Sequence, residues 1–237
     1  NCLNKTKVGW CVDASQYKIA FEPPKKLVPI KDKSEGQKGY LSCPAVRSYC
    51  DGYYVVTSPY SIKLKCFEKE DRLEICPVFP FTSINDSLIK TLIQVEHPST
   101  WRKSNLVTIQ VPSPYVFFSD EIIYMEQGHP MLTDQTNLNW RVIPGIIDIY
   151  SWQRPLNWSF EWDVNAGDFV INANEPIYSI RFFSKSKNPT IVDLKEYQMN
   201  KKIKEQLALT NGIAKVKKGI KPYFEKAKLR RKKIKLL

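Results

Sequence analysis

From Leu156 to Val164 the chain reads LNWSFEWDV, with apolar and polar residues alternating without a break. Strand side chains point alternately to two faces. Leu156, Trp158, Phe160, Trp162 and Val164 therefore share one face, and Asn157, Ser159, Glu161 and Asp163 the other. The pattern predicts a half-buried strand with a solvated polar side. Rings in a row could instead be a stacking platform for nucleic acid, but such platforms interleave rings with Lys or Arg, and this face has none. Burying each ring contributes about 1.5–3 kcal/mol, so the rings are expected in a core. The turn NAGD (165–168) follows, and the next apolar run, FVINANEPIYSIRFF, is expected to pair with this strand or neighbour it in one sheet.

Short β-like runs of this kind recur from Tyr40 to Ser184. YYVVTSP (53–59) and SIKLKCFEK (61–69) are separated by a proline turn, and in the second Ile62, Leu64, Cys66 and Glu68 share a face. RLEICPVF follows a charged turn. NLVTIQVPSPYVFFS (105–119) predicts two strands broken at Pro112 and Pro114, and WRVIPGIIDIYSW (140–152) two with a bend at Pro144–Gly145. SINDSLIKTLIQVEHP reads either as a short helix capped by Asn85 or Asp86 or as a strand. Many short strands divided by turn residues predict a mainly β fold, an antiparallel sandwich or jelly roll.

The flanks differ from this body. Residues 1–39, with β-like runs KVGWCV and YKIAF before a Pro-, Lys- and Gly-rich stretch, are expected to form an irregular arm. Residues 185–237 are expected to form a helical, basic extension. In it Ile191, Leu194, Met199, Ile203, Leu207 and Leu209 recur at helix-like intervals, with Thr190 as a cap and Asn211–Gly212 as a stop. The domain reading is thus arm 1–39, body 40–184 and extension 185–237.

Charge sharpens this division. The net charge of +12 over 237 residues belongs mostly to the end of the chain. From Asn211 onward eleven Lys and Arg face one acid, Glu225, giving +10 and leaving +2 for residues 1–210. The segment also carries apolar residues that a purely solvated tail does not need. Lys215, Lys217, Lys218, Lys221, Tyr223, Phe224, Lys228, Arg230, Arg231, Lys232, Lys233 and Lys235 are therefore read as partner-binding residues for other protein chains of an assembly. Neutralising the phosphates of a nucleic acid is a further reading of the same cations. With 43% hydrophobic residues the chain is too apolar for a disordered protein. It contains no apolar run of the roughly 18 residues that span a bilayer. The N-terminus has neither a starting Met nor the apolar block of a secretory signal; it is read as trimmed or incomplete, and the protein as neither secreted nor membrane-spanning.

Candidate chemistry is sparse. The only histidines are His97 and His129, each followed by proline. With Asp134, Glu126 or Asp120 they could supply a two-histidine, one-carboxylate iron site, although the close His-x-acid spacing is absent. Cys2, Cys11, Cys43, Cys50, Cys66 and Cys76 contain no CxxC pair and are read as reduced, semi-buried thiols on strands. A zinc site from Cys43, Cys50, Cys66 and Cys76 is the alternative. Glu161 and Asp163 could act as paired carboxylates, with a solvated outer face as the plainer reading. No P-loop, GxGxxG or GxSxG occurs. No cofactor and no catalytic residue is assigned.

The motif order resembles a family found mainly in viruses of marine cyanobacteria and in some bacteria. Its marks fall here at Cys43–Ala45, Thr57–Ile62, Val111–Ser119, Pro144–Phe160 and Glu175–Phe182, over about residues 40–184. One position departs: Asn174 replaces an expected turn glycine, a substitution the left-handed turn tolerates. The resemblance implies a phage setting, virion or host cytoplasm, with no settled activity and no catalytic residues. The ending GDFVINANEPIYSIRF is also similar to the closing strands of cupin-like and deoxyuridine-triphosphatase-like jelly rolls, without the metal histidines of the first or the serine-rich loop of the second. The leading expectation is a non-enzymatic virion or assembly protein that docks through its terminal extensions. A phage accessory enzyme or small-ligand binder of cupin-like architecture, metal-dependent in one version, comes second, and nucleic-acid binding by the tail third.

Overall fold

The alternation around Trp158 becomes a seven-residue strand, Asn157–Asp163, with Trp158, Phe160 and Trp162 buried. The computed structural model describes residues 5–13, 21–28, 40–69, 72–130, 139–155, 157–186, 190–216, 225–229, 231 and 235. Among them the fold is mainly β, arranged in four sheets. The first runs β15 (Val192–Glu196), β1 (Thr6–Val12), β8 (Tyr115–Phe118). The second runs β10 (Trp140–Val142), β12 (Asn157–Asp163), β7 (Leu106–Pro112), β6 (Gln94–Val95). The third runs β11 (Gly145–Asp148), β9 (Tyr124–Gly128), β14 (Pro176–Phe183), β3 (Tyr53–Thr57), β2 (Lys25–Lys26). The fourth runs β13 (Phe169–Ile171), β4 (Ile62–Lys69), β5 (Arg72–Pro77). Helices α1 (Pro44–Cys50), α2 (Asp86–Leu92) and α3 (Lys201–Val216) complete the framework.

The breaks read from proline fall where expected. β7 ends at Pro112 and β8 begins at Tyr115, while Val142 and Gly145 bound the bend between β10 and β11. Each break passes the chain to a different sheet. Proline donates no ladder hydrogen bond, so pairing stops there and the next strand takes a new partner. The segment 83–98 is a short helix followed by a short strand: α2 spans Asp86–Leu92 and β6 Gln94–Val95, and Asn85 caps α2, its side-chain oxygen accepting from the backbone N–H of Leu88 at 2.8 Å. Asn174 adopts φ +66° and donates its backbone N–H to the Ser58 carbonyl at 2.7 Å, so the turn survives without glycine.

Rings from several sheets meet in one core. On β12, Phe160 lies 5.6 Å from Phe169 of β13, and Trp162 lies 5.9 Å from the same ring. Trp158 lies 5.3 Å from Tyr178 of β14. β12 and β14 are therefore not paired: β12 lies between β10 and β7, β14 between β9 and β3, and they touch through side chains. The alternation that predicts both strands carries no information on which strand each one hydrogen-bonds.

Both flanks contribute to the core, contrary to the expected arm and helix. β1 is the middle strand of its sheet, antiparallel to β8 and parallel to β15, with Val8, Trp10 and Cys11 buried. Residues 192–196 form a strand where a helix is expected, locked by the register Thr6↔Val192 through Trp10↔Glu196. The helix starts later, at α3, where the Asn200 side chain accepts from the Ile203 N–H at 3.0 Å. α3 packs Ile203 and Leu207 against Cys11, Val116 and Phe118. It continues through Asn211 and Gly212 to Val216; each of those residues costs about 1 kcal/mol or less in a helix, too little to stop it. Among the described residues, no helix is long and apolar enough to cross a membrane.

Candidate functional site

The two histidines serve local structure. His97 caps the turn Pro98–Thr100, its Nδ1 accepting from the Ser99 N–H at 3.3 Å. It lines a groove of about 890 Å³ with Glu68, Leu73, Val95, Glu96 and Trp101. His129 packs edge-on to Trp140, ring centroids 5.6 Å apart, and accepts weakly from the Val142 N–H at 3.4 Å. Burial lowers its pKa below the ordinary value. The carboxylates considered with them are engaged elsewhere: Glu126 pairs with Arg181 at 2.6 Å and Asp120 with Arg231 at 3.1 Å. Asp134 lies outside the described residues. Among the described residues, no group of three or more His, Cys, Asp or Glu side chains stands where it could hold a metal ion.

Cys11, Cys43, Cys50, Cys66 and Cys76 are free. Cys66 lies opposite Ile75 and Cys76 opposite Lys65, so these two thiols sit on opposite faces of the β4–β5 hairpin. Cys43 precedes α1 and Cys50 ends it, which corrects the placement of those two on strands. The buried thiol of Cys11 is pushed up to about 12 by burial and by Asp13. Cys2 lies outside the described residues.

Glu161 departs most from expectation. It sits on the outer side of β12, yet it is only 9% exposed. Two arginines cover it. Arg102, from the turn before β7, donates Nε to Oε1 at 3.0 Å and Nη2 to Oε2 at 3.1 Å. Arg141, its direct partner on β10, donates Nε to Oε2 at 2.7 Å and also Nη2 to the same oxygen. The Arg102 hydrogen bonds, aided by Arg141 and opposed by burial, hold the carboxyl below its ordinary pKa. Asp163 does not join it as a paired acid. Its Oδ1 accepts from Asn105 at 2.9 Å and from the Asn165 N–H at 3.1 Å, which caps the following turn. These groups line a cleft of about 430 Å³ with Lys103, Asn139 and Trp140. The signal available in the sequence was Arg141, a charge inside the apolar triplet WRV.

The basic residues of the tail are not equivalent. Arg231 returns to the body with its side chain 5% exposed. Its Nη2 donates to the Ser119 carbonyl at 2.9 Å and to the Asp120 carboxylate at 3.1 Å, and its guanidinium lies 3.8 Å from the Tyr150 ring centre. Lys228 stands 3.8 Å from the buried carboxylate of Asp148, and the preceding Ala227 is buried. These two cations engage their own chain. Next to them Leu229 is 86% exposed. Lys235 is exposed, and Lys215 lies in α3. Lys217, Lys218, Lys221, Tyr223, Phe224, Arg230, Lys232 and Lys233 lie outside the described residues.

No protein-family model and no curated protein matches the chain.

Proposed function

We propose that the chain is a non-enzymatic assembly protein, a virion or assembly component in the phage setting that its motif order implies. Its β body, a sandwich of jelly-roll kind, is the scaffold, and its cationic C-terminal segment grips neighbouring chains. The Arg231 anchor carries this reading. A solubilising extension has no need to bury a guanidinium. Arg231 fixes where the tail lies on the body and leaves Leu229 facing outward beside it. Because Lys228 and Arg231 are engaged in cis, contact with a neighbour falls to Lys215, Lys217, Lys218, Lys221, Arg230, Lys232, Lys233 and Lys235, with Tyr223 and Phe224 as apolar contacts.

Truncation after Val216 tests this. The shortened chain keeps every sheet and α3; it is expected to keep its circular dichroism spectrum and to be missing from purified particles, while the full chain is found in them by mass spectrometry at a fixed copy number. Normal incorporation of the shortened chain removes the tail's role, and absence of the full chain from particles removes the virion reading.

A further inference from the structure

The cleft around Glu161 holds more positive charge than the fold uses. One guanidinium would neutralise the Glu161 carboxylate; two converge on it, and Lys103 stands beside them in the same cleft. Asp163 is the other acid there, so three cations face two carboxylates. Four N–H donors already engage Glu161, one at Oε1 and three at Oε2. Each arginine donates to it from Nε and Nη2, which directs the remaining Nη1 edge away from the carboxylate. Both arginine side chains are 57% exposed although they cover a nearly buried carboxylate. Fixing a guanidinium by one edge lowers the entropy lost when its other edge binds.

The rim is equally set. Asn139 donates through Nδ2 to the carbonyls of Gly167 at 2.7 Å and Asp168 at 2.9 Å, and Trp162 Nε1 donates to the Gly167 carbonyl at 2.9 Å. Asn105 is held by Asp163. The result is a small polar cleft with a net positive charge and two oriented guanidiniums. Two planar N–H forks suit an oxyanion with several acceptor oxygens, and phosphate offers more of them than a carboxylate.

We propose that Arg102 and Arg141, positioned by Glu161 and assisted by Lys103, form a binding site for the phosphate group of a small phosphorylated ligand. The site lies on the outer face of the β10–β12–β7–β6 sheet and stands independently of the tail and of the assembly reading.

Inorganic phosphate, titrated at constant ionic strength into the full chain, is the direct probe. Calorimetry or chemical-shift changes should show saturable binding below about 10 mM. Arg102→Gln and Arg141→Gln should each weaken it at least about tenfold, the loss expected for one charge-assisted hydrogen bond. Arg102 is the cleaner variant, because Arg141 remains to neutralise Glu161; an unchanged thermal midpoint shows that lost binding is not lost folding. Arg231→Ala, on the tail anchor, should leave phosphate affinity unchanged. No saturation by about 10 mM, or an affinity unchanged from that of the original chain in both arginine variants, overturns the proposal. Binding of a single-stranded oligonucleotide that depends on these arginines, with no binding of phosphate, also overturns it in favour of a nucleic-acid surface.

Discussion

At the scale of the residue, Glu161 and His129 make the fold sensitive to acid in two separate windows. Glu161 has a folded pKa below the ordinary 4.5, with the Arg102 hydrogen bonds as the main cause. The unfolded chain therefore takes up the proton first as pH falls. The stability from this group is complete above about 4.5 and is lost as pH drops through the folded value. Burial depresses His129 below its ordinary 6.5. Here too the unfolded state binds the proton first, so stability declines as pH falls below about 6.5. Urea midpoints measured across pH should show both declines. His129→Asn should flatten the upper one and Glu161→Gln the lower; an unchanged slope near pH 6 in His129→Asn would exclude that group as the cause. The burial of Trp158, Phe160 and Trp162 was legible, because period two needs no knowledge of partners. The burial of Glu161 was not, since its cover comes from Arg102, 59 residues away, and Arg141, 20 away.

At the scale of the element, α3 belongs to the folded unit. Its buried face, Ile203 and Leu207, closes over Cys11, Val116 and Phe118. Ile203→Ala should cost about 2–5 kcal/mol in a denaturant titration, and Lys204→Ala, one residue on and exposed, close to nothing. Equal effects would mean that the helix is an appendage after all. The apolar intervals of 191–209 did locate the buried face of α3, but they merged it with the strand before it. Val192–Glu196 extends because β1 offers it an open edge, and that edge lies 186 residues earlier in the pairing Thr6↔Val192. Local propensity is a weak guide when a distant partner supplies the hydrogen bonds. The short α2 was legible for the opposite reason, its cap Asn85 being three residues from the N–H it accepts.

At the scale of the whole molecule, four sheets share a core in which rings from different sheets touch. The mainly β class followed from strand spacing, whereas the assignment of strands to sheets depended on contacts that spacing does not encode. Arg231 and Lys228 both tie the tail to the body. Arg231→Ala removes the hydrogen bonds to Ser119 and Asp120 and the ring contact with Tyr150. It should speed trypsin cleavage within 215–235 several-fold, with the rest of the chain cut at its former rate. Unchanged cleavage would show that the remaining contacts, Lys228 with Asp148 among them, hold the segment without Arg231.

The place of β1 bears on how the protein is made. β1 leaves the ribosome before β8, which follows only after about a hundred further residues. Its parallel neighbour β15 comes later still. Until then Val8, Trp10 and Cys11 sit on a strand with an unpaired side, the kind of surface that nascent chains bury wrongly or that chaperones hold. Pairing across such a separation is slow to form. Completion of this sheet therefore waits for β15, and translation speed over residues 119–196 sets how long β1 keeps an unpaired side.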